Sequence, residues 1–152
     1  MSETTKKTAS RKAAAKETAT FSAEEREAMR EAAAERRASA KGGDGEAAVL
    51  AKIAAMSAED QALATGLHAL VKRVAPDLTS KTYYGMPAYD RGGKTLFFLQ
   101  VAGKWKTRYA SLNFTDAAKL DADVMWPCSF AVTRWSSAVE AEVERLIALA
   151  LR

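Results

Sequence analysis

The sequence is poor in the side chains that most often bind transition metals or attack substrates. Its 152 residues include one cysteine, Cys128, and one histidine, His68. A single cysteine cannot form a disulfide within the chain, and it excludes a metal cluster built from several thiolates of this chain. His68 has no second histidine or cysteine at ligand spacing, so no closed metal site is predicted. No cofactor motif is present, and no cofactor is predicted.

Long apolar runs are also absent. Uncharged stretches rich in apolar residues, such as 95–103, are far shorter than the roughly 20 residues that a helix needs to cross a bilayer. The N-terminus is rich in Lys, Thr and Ala and lacks the apolar segment of a secretory signal peptide. These absences predict a cytoplasmic protein with no membrane partner.

The positive charge of the chain is concentrated in its first residues. Residues 1–19 contain no aromatic residue and no Leu, Ile or Val, and they carry three of the four net positive charges. Such a segment cannot bury enough apolar surface to order itself, so it is predicted to be a disordered basic tail. Because only five cations are spread over these nineteen residues, the tail is interpreted as a solubilising leader rather than a nucleic-acid arm.

Residues 20–43 are predicted to form a peripheral helix followed by a Gly-rich linker. Ser22 and Glu25 make a capping box, and the helix should run to about Ala40. Met29 is its only large apolar residue, so the helix has almost no apolar face to bury. Glu24, Glu25, Glu27, Glu31 and Glu35 alternate with arginines. They are interpreted as a solvated face rather than as a carboxylate ridge that binds iron.

Residues 44–152 are predicted to form the compact domain. Apolar residues at helical spacing indicate helices over about 45–56, from Ser57 to Pro76, and from Ser137 to the C-terminus. Between these helices the periodicity changes to two, and 11 of the 12 aromatic residues lie in the region 83–135. Aromatic residues at this spacing are typical of a sheet that provides most of the core volume.

Four strands are predicted in this aromatic region: 83–89, 95–102, 105–114 and a short one within 126–132. Pro87 removes a hydrogen-bond donor from the first strand, which favours an edge position or a bulge there. The second strand is apolar on both faces, which favours the middle of the sheet. The order of elements predicts an α+β fold, a two-layer domain in which helices pack on an antiparallel meander sheet.

The hexapeptide Tyr84-Gly-Met-Pro-Ala-Tyr89 is followed by a glycine turn, the segment Leu96-Phe-Phe-Leu99 and the segment Lys104-Trp-Lys-Thr-Arg-Tyr109. Together they resemble the YdhG-like family, a bacterial domain of unknown function, over about residues 45–152. The resemblance implies a fold similar in outline to frataxin. It also implies a non-enzymatic binding or chaperone-like module, with iron as a candidate ligand because some relatives are regarded as iron-handling chaperones. Many relatives carry a Lys-His-Ile-Gly-like segment where this chain has Lys104-Trp-Lys-Thr107, so that histidine is missing here.

Three cations suggest a second function. At a period of two, Lys104, Lys106 and Arg108 would project from one face of the predicted strand 105–114, and Trp105 would project from the other. Such a face could hold a small anionic ligand or nucleic acid, with aromatic rings available for stacking. The alternative is that the cations protect a sheet edge from pairing with other chains.

A third hypothesis concerns the bend in the hexapeptide. The rings of Tyr84 and Tyr89, with Met86, could line a pocket in which an enzyme acts on a small molecule. No acid, base or nucleophile accompanies them, and packing in the core is the simpler interpretation. Cys128 is likewise expected to be a small buried or half-buried apolar group rather than a nucleophile.

Overall fold

The computed structural model describes residues 21–40 and 45–152. The basic tail 1–19 and the linker within 41–44 therefore lie outside the described residues. The helices are α1 (Ala23–Ala40), α2 (Gly45–Ala54), α3 (Ala58–Val74), a single turn α4 (Ala102–Trp105) and α5 (Ser137–Ala150). The strands are β1 (Thr79–Tyr83), β2 (Met86–Arg91), β3 (Lys94–Gln100), β4 (Ala110–Phe114) and β5 (Ser129–Val132).

The five strands form one antiparallel sheet in the order β1-β2-β3-β4-β5, with β3 in the middle. The α+β fold, the meander and the central position of the strand predicted at 95–102 are thus confirmed. Within the described residues, no helix is both long enough and apolar enough to cross a membrane.

Serine side chains start three of the helices. Ser22 Oγ accepts a hydrogen bond from the Glu25 N–H, and Ser57 Oγ accepts one from the Asp60 N–H. Ser136 Oγ accepts one from the Val139 N–H at 3.2 Å, so the cap of α5 lies one residue before the predicted Ser137. Each serine satisfies a backbone donor that the first turn of a helix leaves without an internal partner.

The predicted strand 83–89 is wrong in its first part, because a hairpin turn lies at 84–85, whereas 86–89 belong to β2. Tyr84 and Gly85 have φ values of 49° and 75°, and they connect β1 to β2 with the positive φ at both central residues that a type I′ turn requires. Pro87 consequently lies in an inner strand rather than at an edge. Pro87 faces Thr82, next to the closing pair Tyr83–Met86, and pairing of β2 with β3 starts only at Ala88. The missing N–H of Pro87 therefore removes no hydrogen bond from the sheet.

The predicted strand 105–114 is also wrong in its first half. Residues 102–105 form α4, and Lys106 ends this turn in the left-handed conformation with φ 54°. β4 begins only at Ala110. The alternation of cations and aromatic residues at 104–109 therefore belongs to a helical turn and a loop.

Aromatic and aliphatic side chains on one face of the sheet make the core with the helices. The Phe97 ring lies between the rings of Tyr89 and Phe114, with centroid distances of 5.1 and 5.3 Å. Leu67 from α3 and Ile147 from α5 are buried in the same cluster. Helices that precede the strands in the chain and the helix that follows them pack against these rings. This packing holds the hairpin β1–β2 in place.

His68 is buried where α3 covers this sheet. Its Nδ1 lies 2.9 Å from the Tyr89 hydroxyl, and its Nε2 lies 3.1 Å from Oε1 of Glu46. Both ring nitrogens thus have hydrogen-bond partners, as buried polar groups require. The histidine has a structural role in the packing of α2 and α3 on β2.

Candidate anion-binding site

The turn between β1 and β2 presents two successive backbone N–H groups to the same carboxylate. The Tyr84 N–H donates to Oε2 of Glu35 at 3.0 Å, and the Gly85 N–H donates to Oε1 at 2.7 Å. Consecutive N–H groups in a turn form a concave site for anions. Since Glu35 belongs to α1, the carboxylate that occupies this site comes from a distant part of the chain.

Two lysines converge beside this turn on a second carboxylate of α1. Lys52 of α2 donates to Oε1 of Glu31 at 2.8 Å, and Lys104 of α4 forms an ion pair with Oε2 of the same residue. Lys104 also donates to the carbonyl oxygen of Tyr84 at 3.2 Å, which ties it to the hairpin turn. We call the N–H groups of Tyr84 and Gly85 and the ammonium groups of Lys52 and Lys104 the cradle.

Glu31 is charged at neutral pH although it is largely covered. Its side chain is only 16% exposed. Burial raises the pKa of Glu31, but the hydrogen bonds and the positive charges of Lys104 and Lys52 together outweigh burial and hold this pKa below its ordinary value. Hydrogen bonds between two charged groups are stronger than those between neutral groups. The cradle therefore stabilises a carboxylate in its ionised form.

The acidic side of α1 lies along the cradle. Glu24, Glu31 and Glu35 recur at helical spacing, and the side chains of Ala28 and Ala32 between them are buried. These three glutamates are bonded to the domain, so the prediction of a solvated glutamate face is wrong for them. The physical reason is that α1 docks through glutamates and small alanines. A helix of this kind lacks the stripe of large apolar side chains that usually indicates a buried face.

Beyond the cradle, one further ion pair holds the N-terminal end of this stripe. Lys106 lies 2.6 Å from Oε1 of Glu24. The hydrogen bond from Lys106 lowers the pKa of Glu24, and the same bond raises the pKa of Lys106. The side chain of Lys106 is 76% exposed, so solvent screens this pair much more than it screens Glu31.

A cavity of about 410 Å³ opens beneath α1 beside the cradle. Its lining combines both lysines of the cradle with carboxylates and with the backbone of two glycines: Glu27, Glu31, Lys52, Asp60, Gly85, Gly103 and Lys104. Asp60 is buried, and its Oδ2 accepts a hydrogen bond of 3.0 Å from the Gly103 N–H. The volume lies within the range of small-molecule sites.

The predicted cationic strand face does not exist. Lys104 and Lys106 pair with different glutamates of α1, and the Arg108 guanidinium lies 5.2 Å from the centre of the Tyr109 ring. Trp105 is half-buried, and its Nε1 is without a hydrogen-bond partner among the residues described. Of the three predicted cations, only Lys104 belongs to the cradle, because it lies in α4 whereas Lys106 and Arg108 follow this turn in a loop.

Tyr84 and Tyr89 do not line a common pocket. Tyr89 is fully buried and bonded to His68, and burial, followed by the negative charge of Glu46, raises its pKa well above the ordinary value. Tyr84 contributes its backbone N–H to the cradle, while its ring packs edge-on against Tyr83 at 4.8 Å. The hexapeptide therefore provides a turn and a core ring rather than a pair of pocket walls.

Cys128 is exposed, so its predicted burial is wrong. It lies in the extended segment before β5, where its carbonyl oxygen accepts a hydrogen bond of 2.8 Å from the Phe114 N–H. This bond places the backbone against β4 while the thiol stays at the surface.

Sequence reasoning did not identify Lys52, Glu31 and Glu35 as site residues. The signal present in the sequence is the spacing of glutamates and alanines on one side of α1. The positive φ of Tyr84 and Gly85 is visible only in the structure. Among the described residues, no group of three or more His, Cys, Asp or Glu side chains is arranged to hold a metal ion.

Comparison of the chain with protein-family models, with curated proteins and with solved structures gives no match. The resemblance to the YdhG-like family accordingly stays a prediction, and the functional conclusions rest on the geometry of the cradle.

Proposed function

We propose that the protein is a non-enzymatic, cytoplasmic binding module that recognises acidic groups at the cradle. The observation that carries this proposal is the seating of Glu35 on the N–H groups of Tyr84 and Gly85 at 3.0 and 2.7 Å. Lys52 and Lys104 add two positive charges beside this turn, where both contact Glu31. A carboxylate or a phosphate group offers the several oxygen acceptors that such a set of donors matches.

Iron handling, which the YdhG-like resemblance implies, draws less support from these residues. Lys52 and Lys104 both contact Glu31, and their charges would repel a cation from the carboxylates nearby. Iron also favours several oxygen or nitrogen ligands at one point. The iron hypothesis therefore depends on the family resemblance alone.

Nucleic-acid binding would use Lys106 and Arg108, which are exposed near the cradle. Without a common strand face, these cations do not form a continuous track for a phosphate backbone. Recognition of a single acidic group or a short acidic segment agrees better with the small extent of the cradle.

The proposal is tested with phosphate and with the full chain, after the two carboxylates of α1 that occupy the cradle are removed. In the variant Glu31→Ala with Glu35→Ala, inorganic phosphate at low salt should shift the backbone amide NMR signals of Tyr84 and Gly85 until they saturate. Adding Lys104→Gln should weaken this response, since one of the two ammonium donors is lost.

A matched control changes the same net charge elsewhere. Glu142 and Glu144 lie on α5, away from the cradle. Their replacement by Ala should leave Tyr84 and Gly85 unresponsive to phosphate, because Glu31 and Glu35 still occupy the donors. If phosphate also leaves the two amides unchanged in the Glu31→Ala, Glu35→Ala variant, the cradle is not an anion site.

A further inference from the structure

We infer that the cradle, together with the adjacent Lys106, is an interaction surface for an acidic helix of a partner protein, and that α1 is a built-in competitor that occupies this surface. The inference rests on the proposed function and adds to it the kind of partner and the means of regulation. The observation behind it is that three separate contacts with the domain lie along one side of α1.

The contacts extend further than one small anion. Glu24 pairs with Lys106, Glu31 with Lys104, and Glu35 with the hairpin turn at Gly85. From the first to the last of these glutamates a helix rises about 16 Å, three turns at 1.5 Å per residue. A free phosphate or carboxylate would use only one of these three points. A helix with glutamates at positions i, i+7 and i+11 uses all of them.

The surface also requires small residues at the contact. Ala28 and Ala32 are buried between the glutamates of α1, where larger side chains would hold the helix away. On the opposite side, a Cβ atom added to Gly85 would fall on the Glu31 carboxylate and the Lys104 ammonium group. The partner helix is therefore expected to carry alanine or glycine at i+4 and i+8.

The contacts of α1 differ from those of a core helix. Its one large apolar residue, Met29, is exposed, whereas α2 buries Val49 and Ile53 in the central cluster. Two of the lysines that hold α1, Lys52 and Lys106, are themselves substantially exposed. Removal of α1 would uncover charged groups that water solvates well, so an acidic helix of the same pattern can replace it.

Covalent connection favours α1 over any free helix. A tethered segment competes at an effective concentration in the millimolar range or above, so the wild-type chain should bind a free helix only weakly. Weakening the α1 contact should raise the affinity for a helix added in trans. A helix that stays docked without these two carboxylates would leave that affinity unchanged.

The experiment uses a fluorescent peptide with the sequence of residues 22–40, whose Ala, Glu and Arg favour helix formation. Fluorescence anisotropy should show that the full-chain variant Glu31→Ala with Glu35→Ala binds it at least about ten-fold more tightly than the wild type. The Glu142→Ala, Glu144→Ala variant should behave as the wild type does. A peptide with Gln at positions 31 and 35 should not bind either chain.

A charge exchange tests the orientation of the helix independently of overall folding. When Lys106→Glu is added to the Glu31→Ala, Glu35→Ala variant, the native peptide should bind more weakly. The peptide with Glu24→Lys should recover the lost affinity. This recovery requires a folded surface on which position 24 of the peptide lies opposite residue 106 of the chain. A misfolded variant therefore cannot produce it.

Equal binding of the peptide by the wild type and the Glu31→Ala, Glu35→Ala variant would overturn the inference, and so would preferential binding of a single-stranded oligonucleotide by that variant. If phosphate still shifts the Tyr84 and Gly85 amides while the peptide does not bind, the proposed function stands and the helical partner is wrong. If neither ligand binds, both proposals are wrong.

Discussion

The carboxylate of Glu35 accepts a hydrogen bond of 2.7 Å from the backbone N–H of Gly85, 50 positions later in the sequence. The bond joins a helix with no large buried side chain to the two-residue turn between β1 and β2. Both partners depend on local chemistry, since the Ala-rich helix presents its glutamates at regular spacing and the left-handed turn points its N–H groups outward. The cradle thus follows from a hairpin turn that the strand alternation alone did not predict.

Gly85 should tolerate a side chain less well than another glycine in a similar conformation. Gly85 and Gly92 both have positive φ, at 75° and 58°. A Cβ at Gly92 meets nothing within 4 Å, whereas one at Gly85 meets Glu31 and Lys104. We expect Gly92→Ala to lower the free energy of unfolding by about 1 kcal/mol through backbone strain, and Gly85→Ala to lower it by more. Equal losses in urea denaturation would show that Glu31 and Lys104 do not crowd Gly85.

Gly66 in α3 should be needed because the Trp135 ring packs against it, and not because the helix itself favours glycine. Ala normally stabilises a helix by about 1 kcal/mol relative to Gly. Here a Cβ would lie 2.6 Å from three ring atoms of Trp135. Gly66→Ala should therefore lower the free energy of unfolding by about 1–3 kcal/mol, the usual cost of overpacking.

The control for this prediction removes the ring. In a Trp135→Leu background, Gly66→Ala should be neutral or stabilising, and chemical denaturation of the four chains gives the coupling between the two positions. A destabilisation of the same size in both backgrounds would mean that the cost arises elsewhere.

The hydrogen bond between His68 and Tyr89 should contribute to stability. Tyr89→Phe leaves the buried Nδ1 of His68, 2.9 Å from the hydroxyl, without its partner. We expect the free energy of unfolding to fall by about 1–3 kcal/mol, the cost of an unsatisfied buried polar group. Tyr83→Phe is the matched control, since Tyr83 is exposed, and it should change thermal or urea unfolding by less than about 0.5 kcal/mol.

Docking of α1 should weaken in acid. Because the pKa of Glu31 is lower in the folded protein than its ordinary value of 4.5, its contribution is complete above pH 4.5 and is lost as the pH falls through the lower, folded pKa. Carboxyl carbon NMR shifts should give Glu31 a midpoint below 4.5. In the Lys52→Gln, Lys104→Gln variant the two lysines no longer lower the pKa of Glu31, while burial still raises it. The midpoint should therefore move above 4.5. An unchanged midpoint in that variant would exclude the two lysines as the cause.

Sequence patterns predicted the elements in which local periodicity and packing agree. The apolar stripe of α3, the Gly92–Gly93 hairpin and the apolar strand β3 follow from such patterns, and each is present. The segment 104–109 is not a strand although its cations and rings alternate as they would in one. The left-handed Lys106, which ends α4, has no distinct signal in the sequence.

The cradle itself could not be predicted from local patterns. Lys104 and Glu31 are separated by 73 positions, and Lys52 reaches the same carboxylate from a different helix. Contacts between charged side chains so far apart depend on how the elements pack, and charge alternation along α1 is equally typical of a solvated helix. The turn at Tyr84 and Gly85 lies within a distinctive hexapeptide, but its function as an N–H donor pair depends on backbone conformation.

Hydrogen exchange at the Tyr84 and Gly85 amides tests most directly whether the cradle holds a carboxylate in solution. In the wild-type chain both amides should exchange slowly, and Glu35→Ala should accelerate them by about ten-fold or more while the amides of β3 stay unchanged. Equal exchange rates at Tyr84 and Gly85 in the two chains would contradict the account, because Glu35 would then not be bonded to this turn.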